Sequence, residues 1–246
     1  MRFLNFLFSG LISGIVLVPL ASISAAQEDS LYVPLYTYRT GPFAPNGSKV
    51  ANGLQAYFET VMKRDGGVEG RPIVWEECEF GYRTDRGVEC YERLKGKNPL
   101  VSNPFSTGLT YKLVPKAPVD KIPVLSMGYG MSGAADGRWF PWVFNFPTSY
   151  WSQASAFIKY VGAEMGGLEN LQDKKIGLIF LESGYGREPI RLFEALGEKF
   201  GYKFKTWAVP AAQMQDQRSQ WRKIMRWNPD YMFMWGWGNM NATAIS

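Results

Sequence analysis

The sequence contains no histidine. A Ser-His-Asp triad, a Cys-His pair, a histidine general base and a His-ligated zinc are therefore excluded for this stretch. It also has no phosphate loop of the G-x-x-x-x-G-K-[ST] type, and past residue 20 no segment stays apolar for the roughly 18 residues a membrane span needs. Basic residues are scattered, as at Lys63, Arg83, Lys95, Lys174 and Arg222, and form no stripe. Nucleic acid is not an expected partner.

What is present begins with an exported leader. Arg2, an apolar run from Phe3 to Leu20, and Ser24-Ala25-Ala26 before Gln27 match a secretory signal with small residues at its cleavage site. Cleavage after Ala26 is expected, and with it a periplasmic location. No cysteine follows the cut, which argues against a lipid anchor there. Without Arg2 the chain keeps 26 basic against 22 acidic residues, a mild excess that reads as solvated surface charge. The two cysteines, Cys78 and Cys90, suggest a disulfide in an exported chain, with two buried free thiols as the alternative.

From Leu31 the pattern alternates. Leu31 to Tyr36 reads as a strand, residues 41–48 as a loop rich in Gly, Pro and Asn, and the following residues as a helix with Val50, Leu54, Tyr57, Phe58 and Val61 on one face. Asn46 or Ser48 is the expected cap, leaving amide hydrogens that suit a small anion or simply begin an ordinary crossover. Strands are expected at 72–77, 99–102 and 122–126, with helices at 84–95 and 107–114. A second series follows: helix 149–164, strand 175–181, helix 188–200, strand 202–209, helix 216–227 and strand 230–235. Such alternation implies right-handed crossovers and parallel sheets.

The Gly and Pro cluster from Gly128 to Pro147 divides the two series. The fold expected is α/β with two Rossmann-like lobes, 27–145 and 146–246, joined by a hinge near residues 144–148. With three strands after its hinge the second lobe reads as incomplete, so the chain is expected to be a fragment of a longer protein. Ligands of such sheets bind beyond the carboxyl ends of the strands, so the loops at 41–48, 103–107 and 127–133 should converge.

Several loops are candidate sites, each with a plainer reading. Gly128-Tyr-Gly130-Met-Ser-Gly133 matches the dinucleotide fingerprint, but residues 134–141 make a poor helix, so a ligand-lining loop or a plain turn replaces the nicotinamide reading and no cofactor is expected. Ser106 and Thr107 open a helical segment, suited to a carboxylate or to simple capping. Tyr185, between two glycines, and Trp237 hold strand-to-helix positions in the second lobe, where rings serve as a lid or fill the core. Alternation sends Glu76 and Glu77 to opposite faces of their strand, so they read as solvated charge and no catalytic dyad.

In their order, Thr40 to Gly47 with Asn52-Gly53, Arg64 to Gly70, Ile122 to Ser126, Tyr185-Gly186 before a helix and Asn228-Pro-Asp230 before a strand resemble the type I periplasmic binding proteins of ABC importers, in the Leu/Ile/Val-binding branch. The resemblance implies a two-lobed clamp that captures a small solute (an amino acid, amide or small carboxylate) without chemistry, presents it to membrane permease subunits and acts as a monomer. The same fold serves as the sensing domain of receptors, which is the alternative. The resemblance implies a carboxylate held at Ser106, Thr107 and the loop Gly128, Tyr129 and Gly130, a side-chain pocket lined by Asn46, and rings from Tyr185 and Trp237 closing over it. Tyr150, just past the hinge, is expected to contribute. Gly130 stands where relatives often carry a threonine, and Pro104 and Phe105 crowd a loop usually richer in serine, which speaks against a free α-amino acid.

Overall fold

A computed structural model describes residues 29–126 and 130–246. The expected signal segment 1–26 and the site candidates Gly128 and Tyr129 lie outside them. The first sheet opens with β1, Leu31–Thr37, paired in parallel with β2, Ile73–Glu79, so that Leu31 faces Ile73 and Thr37 faces Glu79. Helix α1, Ala44–Asp65, connects them. It starts earlier than its expected caps. Proline in its first turn has the right φ already and gives up no helical bond, so the helix begins without any side-chain cap and takes Asn46 and Ser48 inside it. It stops at Gly66, whose left-handed φ of 70° lets its N–H reach the Met62 carbonyl. The expected apolar face is only partly buried: Val61 is covered, whereas Tyr57 is 63% exposed.

Helix α2, Thr84–Leu94, packs Tyr91 and Leu94 into the core, and the Cys78–Cys90 disulfide ties it to the end of β2 with Cα atoms 5.9 Å apart. Residues 99–102, expected as a strand, join the sheet only through isolated parallel bridges, Leu35 with Asn103 and Ser102 with Val124. Helices α3, Thr107–Leu113, and α4, Ala117–Asp120, lead to β3, Val124–Leu125, which pairs in parallel with β4, Val143–Phe144. The first lobe thus runs β2, β1, the 102–103 bridge, β3, β4.

The second lobe begins with α5, Tyr150–Glu164, capped by Ser149 Oγ, which accepts the Ser152 N–H at 3.2 Å. Then come β5, Lys175–Leu181; α6, Gly184–Arg187; α7, Ile190–Phe200; β6, Lys203–Val209; α8, Arg218–Trp227; β7, Tyr231–Trp235; and α9, Asn239–Ile245. Strand β5 is the middle of the parallel order β6-β5-β7. Both of its faces are covered, which is why Ile176, Leu178, Ile179, Phe180 and Leu181 form an unbroken buried run instead of an alternating one. Each such side chain contributes about 1.5–3 kcal/mol on burial.

The expected helix 188–200 is one continuous helix that starts two residues later, at Ile190. Pro189 sits before α7, and α6 forms a separate turn ahead of it that carries Tyr185. The lobes also share core: Phe80, Leu109 and Leu113 of the first belong to one apolar cluster with Ile179, Trp207 and Met240 of the second. Among the described residues no helix is long and apolar enough to cross a membrane.

Candidate functional site

The loop that leaves β1 is held by two carboxylates on β2. Glu79 accepts the backbone N–H groups of Arg39, Thr40 and Gly81 at 2.8, 3.2 and 3.2 Å, and Glu77 binds the Arg39 guanidinium and the Gln55 amide. The guanidinium bond holds the Glu77 carboxyl below its usual range. Glu76, on the other face as alternation requires, pairs with Lys97. These acids are therefore engaged in ion pairs and loop anchoring, and only in part solvated.

This anchoring sets Tyr38. Its ring and carbonyl occupy the space over Gly47 on α1, where a Cβ would come within 2.1 Å of the Tyr38 oxygen. From the next strand end comes Tyr82, at a left-handed φ of 61°, with its ring 4.8 Å from that of Tyr38 at 74°. Phe105, at φ 46°, and Thr107 complete the first lobe's side. The facing side is Tyr150, Tyr185 and Trp237. Together with Val50 these residues line a closed cleft of about 30 Å³, roughly the room of one water molecule. Tyr38, Tyr82, Tyr185 and Trp237 lie past a strand's carboxyl end or in the helical turn that follows it, and Thr107 and Tyr150 open α3 and α5, where crossover loops gather in parallel sheets.

Polar contacts close the two sides on each other. The Thr107 and Tyr150 hydroxyls are 3.0 Å apart. Burial pushes the Tyr150 phenol well above its usual range, while its bonds to Thr107 and the Gly130 backbone act in the opposite direction. Tyr185 donates to the Gly236 carbonyl at 3.3 Å, its ring 5.3 Å from Tyr150. The loop after β7 abuts the loop after β1: the Asn239 N–H reaches the Pro42 carbonyl at 3.4 Å.

Of the residues expected to form a site, Thr107, Tyr150, Tyr185 and Trp237 line this cleft. Asn46 does not, because α1 begins at Ala44 and carries it in the first turn; Val50, one turn on, takes its place. Ser106 does not either. It is the cap of α3, its buried Oγ accepting the Leu109 N–H at 3.3 Å. Gly130 backs onto α3, where a Cβ would meet Thr110 Cγ2 at 2.5 Å, so a threonine has no room there. Tyr38, Tyr82 and Phe105 were not expected. The available signals were the positions of Tyr38 and Tyr82 just past strand ends and of Phe105 in the 103–107 loop expected to converge.

A larger apolar groove of about 640 Å³ lies between β1 and α1, lined by Val33, Leu54, Phe58 and Leu100 among others. Its lining comes from the first lobe alone, and two of its charged residues, Arg64 and Asp65, pair with each other. Among the described residues no group of three or more Cys, Asp or Glu has a metal-holding arrangement.

Two parallel α/β lobes with a cleft at their strand ends are the architecture of a two-lobed α/β protein. The sequence profile described as periplasmic binding protein matches residues 30–246, and the chain belongs to that family. Comparison with curated proteins returns no match. Among solved structures, one described as an ABC transporter permease from the Pseudomonas fluorescens group is similar at 36% identity and TM-score 0.77, over 88% of this chain and 53% of that one. A fatty acid ABC transporter substrate-binding protein from Thermomonospora curvata is 22% identical, TM-score 0.74, over 88% and 53%. A branched chain amino acid ABC transporter from Thermus thermophilus with bound valine is 18% identical, TM-score 0.73, over 88% and 55%. The chain spans about half the length of these proteins.

Proposed function

We propose that this chain is the solute-binding part of an ABC-type importer, exported after loss of residues 1–26, with residues 27–145 and 146–246 as its lobes. It captures a small organic solute between them and hands it unchanged to membrane permease subunits, acting as a monomer and without catalysis. The observation that carries this reading is the cleft itself: Tyr38, Tyr82 and Thr107 from one lobe meet Tyr150, Tyr185 and Trp237 from the other around a single cavity. A solute touching both sides stabilises the closed form by its differential affinity for it. Family membership and the 36% identical ABC transporter structure support the importer setting. The solute class of amino acid, amide or small carboxylate is part of this proposal; the similar structures differ among themselves, one described as a fatty acid ABC transporter substrate-binding protein and another as holding bound valine.

The test is native mass spectrometry of the full-length mature protein, followed by scattering and thermal melting with the solute removed and restored. A co-purifying small molecule whose return contracts the particle and raises the melting temperature is the expected result. Indifference of both signals to every amino acid, amide and small carboxylate supplied overturns the proposal.

A further inference from the structure

Six of the eight residues around the cleft are aromatic, and none of the eight is Asp, Glu, Lys or Arg. The rings are arranged in two opposed walls. Tyr38 and Tyr82 meet edge to face on one side, and Tyr150 and Tyr185 meet edge to face at 5.3 Å on the other. On the second wall the polar atoms are engaged within the protein: Tyr185 bonds the Gly236 carbonyl, and the Tyr150 and Thr107 hydroxyls bond each other. A zwitterion entering here would bury an ammonium and a carboxylate with no opposite charge among the described lining residues, which costs several kcal/mol per ion. A flat neutral ring incurs no such cost, and it offers faces and edges to both walls.

We propose, building on the solute-capture reading above, that the cleft selects a planar aromatic solute with an uncharged polar group. Zwitterionic amino acids are excluded by this selection. The ring slides between the two walls as the lobes part, adding ring-to-ligand contacts of the kind the rings already make within each wall. The polar group exchanges for the mutual bond of Thr107 and Tyr150, the hydroxyl pair on the cleft wall that joins the two lobes. Size alone does not set the preference: a saturated ring of equal bulk keeps the apolar area and loses the stacking.

The experiment is calorimetric titration of the full-length, solute-stripped protein with benzamide, cyclohexanecarboxamide, L-valine and choline. Benzamide is expected to bind about two- to tenfold more tightly than cyclohexanecarboxamide, the factor that one ring contact contributes, with no heat from L-valine or choline. A Tyr82→Leu variant loses that advantage, and Tyr82→Phe keeps it. Tighter binding of L-valine overturns the aromatic assignment and leaves solute capture standing. Tighter binding of choline does the same, assigning the rings to a cation. Equal affinity for the two amides shows that flatness is not read, and also overturns it. Absence of binding by all four, in protein that melts cooperatively, counts against capture and aromatic selection together if a solute of another class is not found to co-purify; a co-purified non-aromatic solute overturns only the selection.

Discussion

Tyr111 on α3 donates its phenol hydrogen to the carboxylate of Glu188, which lies between α6 and α7 of the other lobe. The second Glu188 oxygen accepts the Ser132 backbone N–H at 3.1 Å, and the Glu188 carbonyl accepts Trp151 Nε1–H at 3.2 Å. One residue therefore clasps the first lobe through two donors. Replacing Glu188 by Gln keeps its size and removes its charge. Because the groups are partly exposed, the closed form should weaken by only about 1 kcal/mol. Small-angle scattering without solute should show a larger mean radius for the variant, and superimposable profiles would remove the clasp from the account of closure.

Tyr185 contributes both a ring to the cleft and a bond to Gly236. Tyr185→Ala should weaken binding of the co-purifying solute by about 1–3 kcal/mol, the range for a buried aromatic contact. Calorimetry is the check, and unchanged affinity would reduce the ring to packing.

Gly47→Ala places a methyl group 2.1 Å from the Tyr38 carbonyl and 2.2 Å from its ring. Something must move, and overpacking of this kind costs about 1–3 kcal/mol. The expected outcome is a lower melting temperature together with weaker solute binding, because the displaced residue is a cleft wall. A destabilised protein of undiminished affinity would separate Tyr38 from recognition.

The Cys78–Cys90 bridge closes a loop with a sequence separation of 12. In the chain-entropy model it contributes about 3 kcal/mol. Denaturant unfolding of the Cys78→Ser, Cys90→Ser double variant should show that loss. An unchanged midpoint, or two alkylatable thiols in the unreduced parent, would dismiss the bridge as a stabiliser.

Alkaline stability should follow the buried phenols. Burial raises Tyr36, Tyr91, Tyr150 and Tyr202, and burial with the Glu76 charge pushes Tyr32 up to about 12 from its ordinary 10.0. A raised folded-state pKa means that the unfolded chain loses the proton first, so stability is intact below about pH 10 and falls as pH climbs toward 12 and beyond. Ultraviolet titration should show these tyrosines ionising together with unfolding. Smooth ionisation of all of them near pH 10 in still-folded protein would contradict it.

The plan of the molecule was legible in the residues because it rests on local periodicity. Residues 175–181 emerged as the expected strand, Ser149 as the start of its helix, and Asn228 as the stop of another, each dictated by neighbours a few positions away. The first helix was misplaced at its start because Pro45 looks like a loop residue and acts as a helix opener.

What the sequence by itself determined is a parallel α/β chain with ring-bearing loops at its strand ends. Only the tertiary structure decided which rings face one another. Tyr82 and Phe105 turn into the cleft through left-handed backbone, Tyr38 through its fit over Gly47, and Tyr150 through a hydroxyl on the opposite lobe. Those directions depend on contacts between segments far apart in the chain, and no pattern along a single segment encodes them.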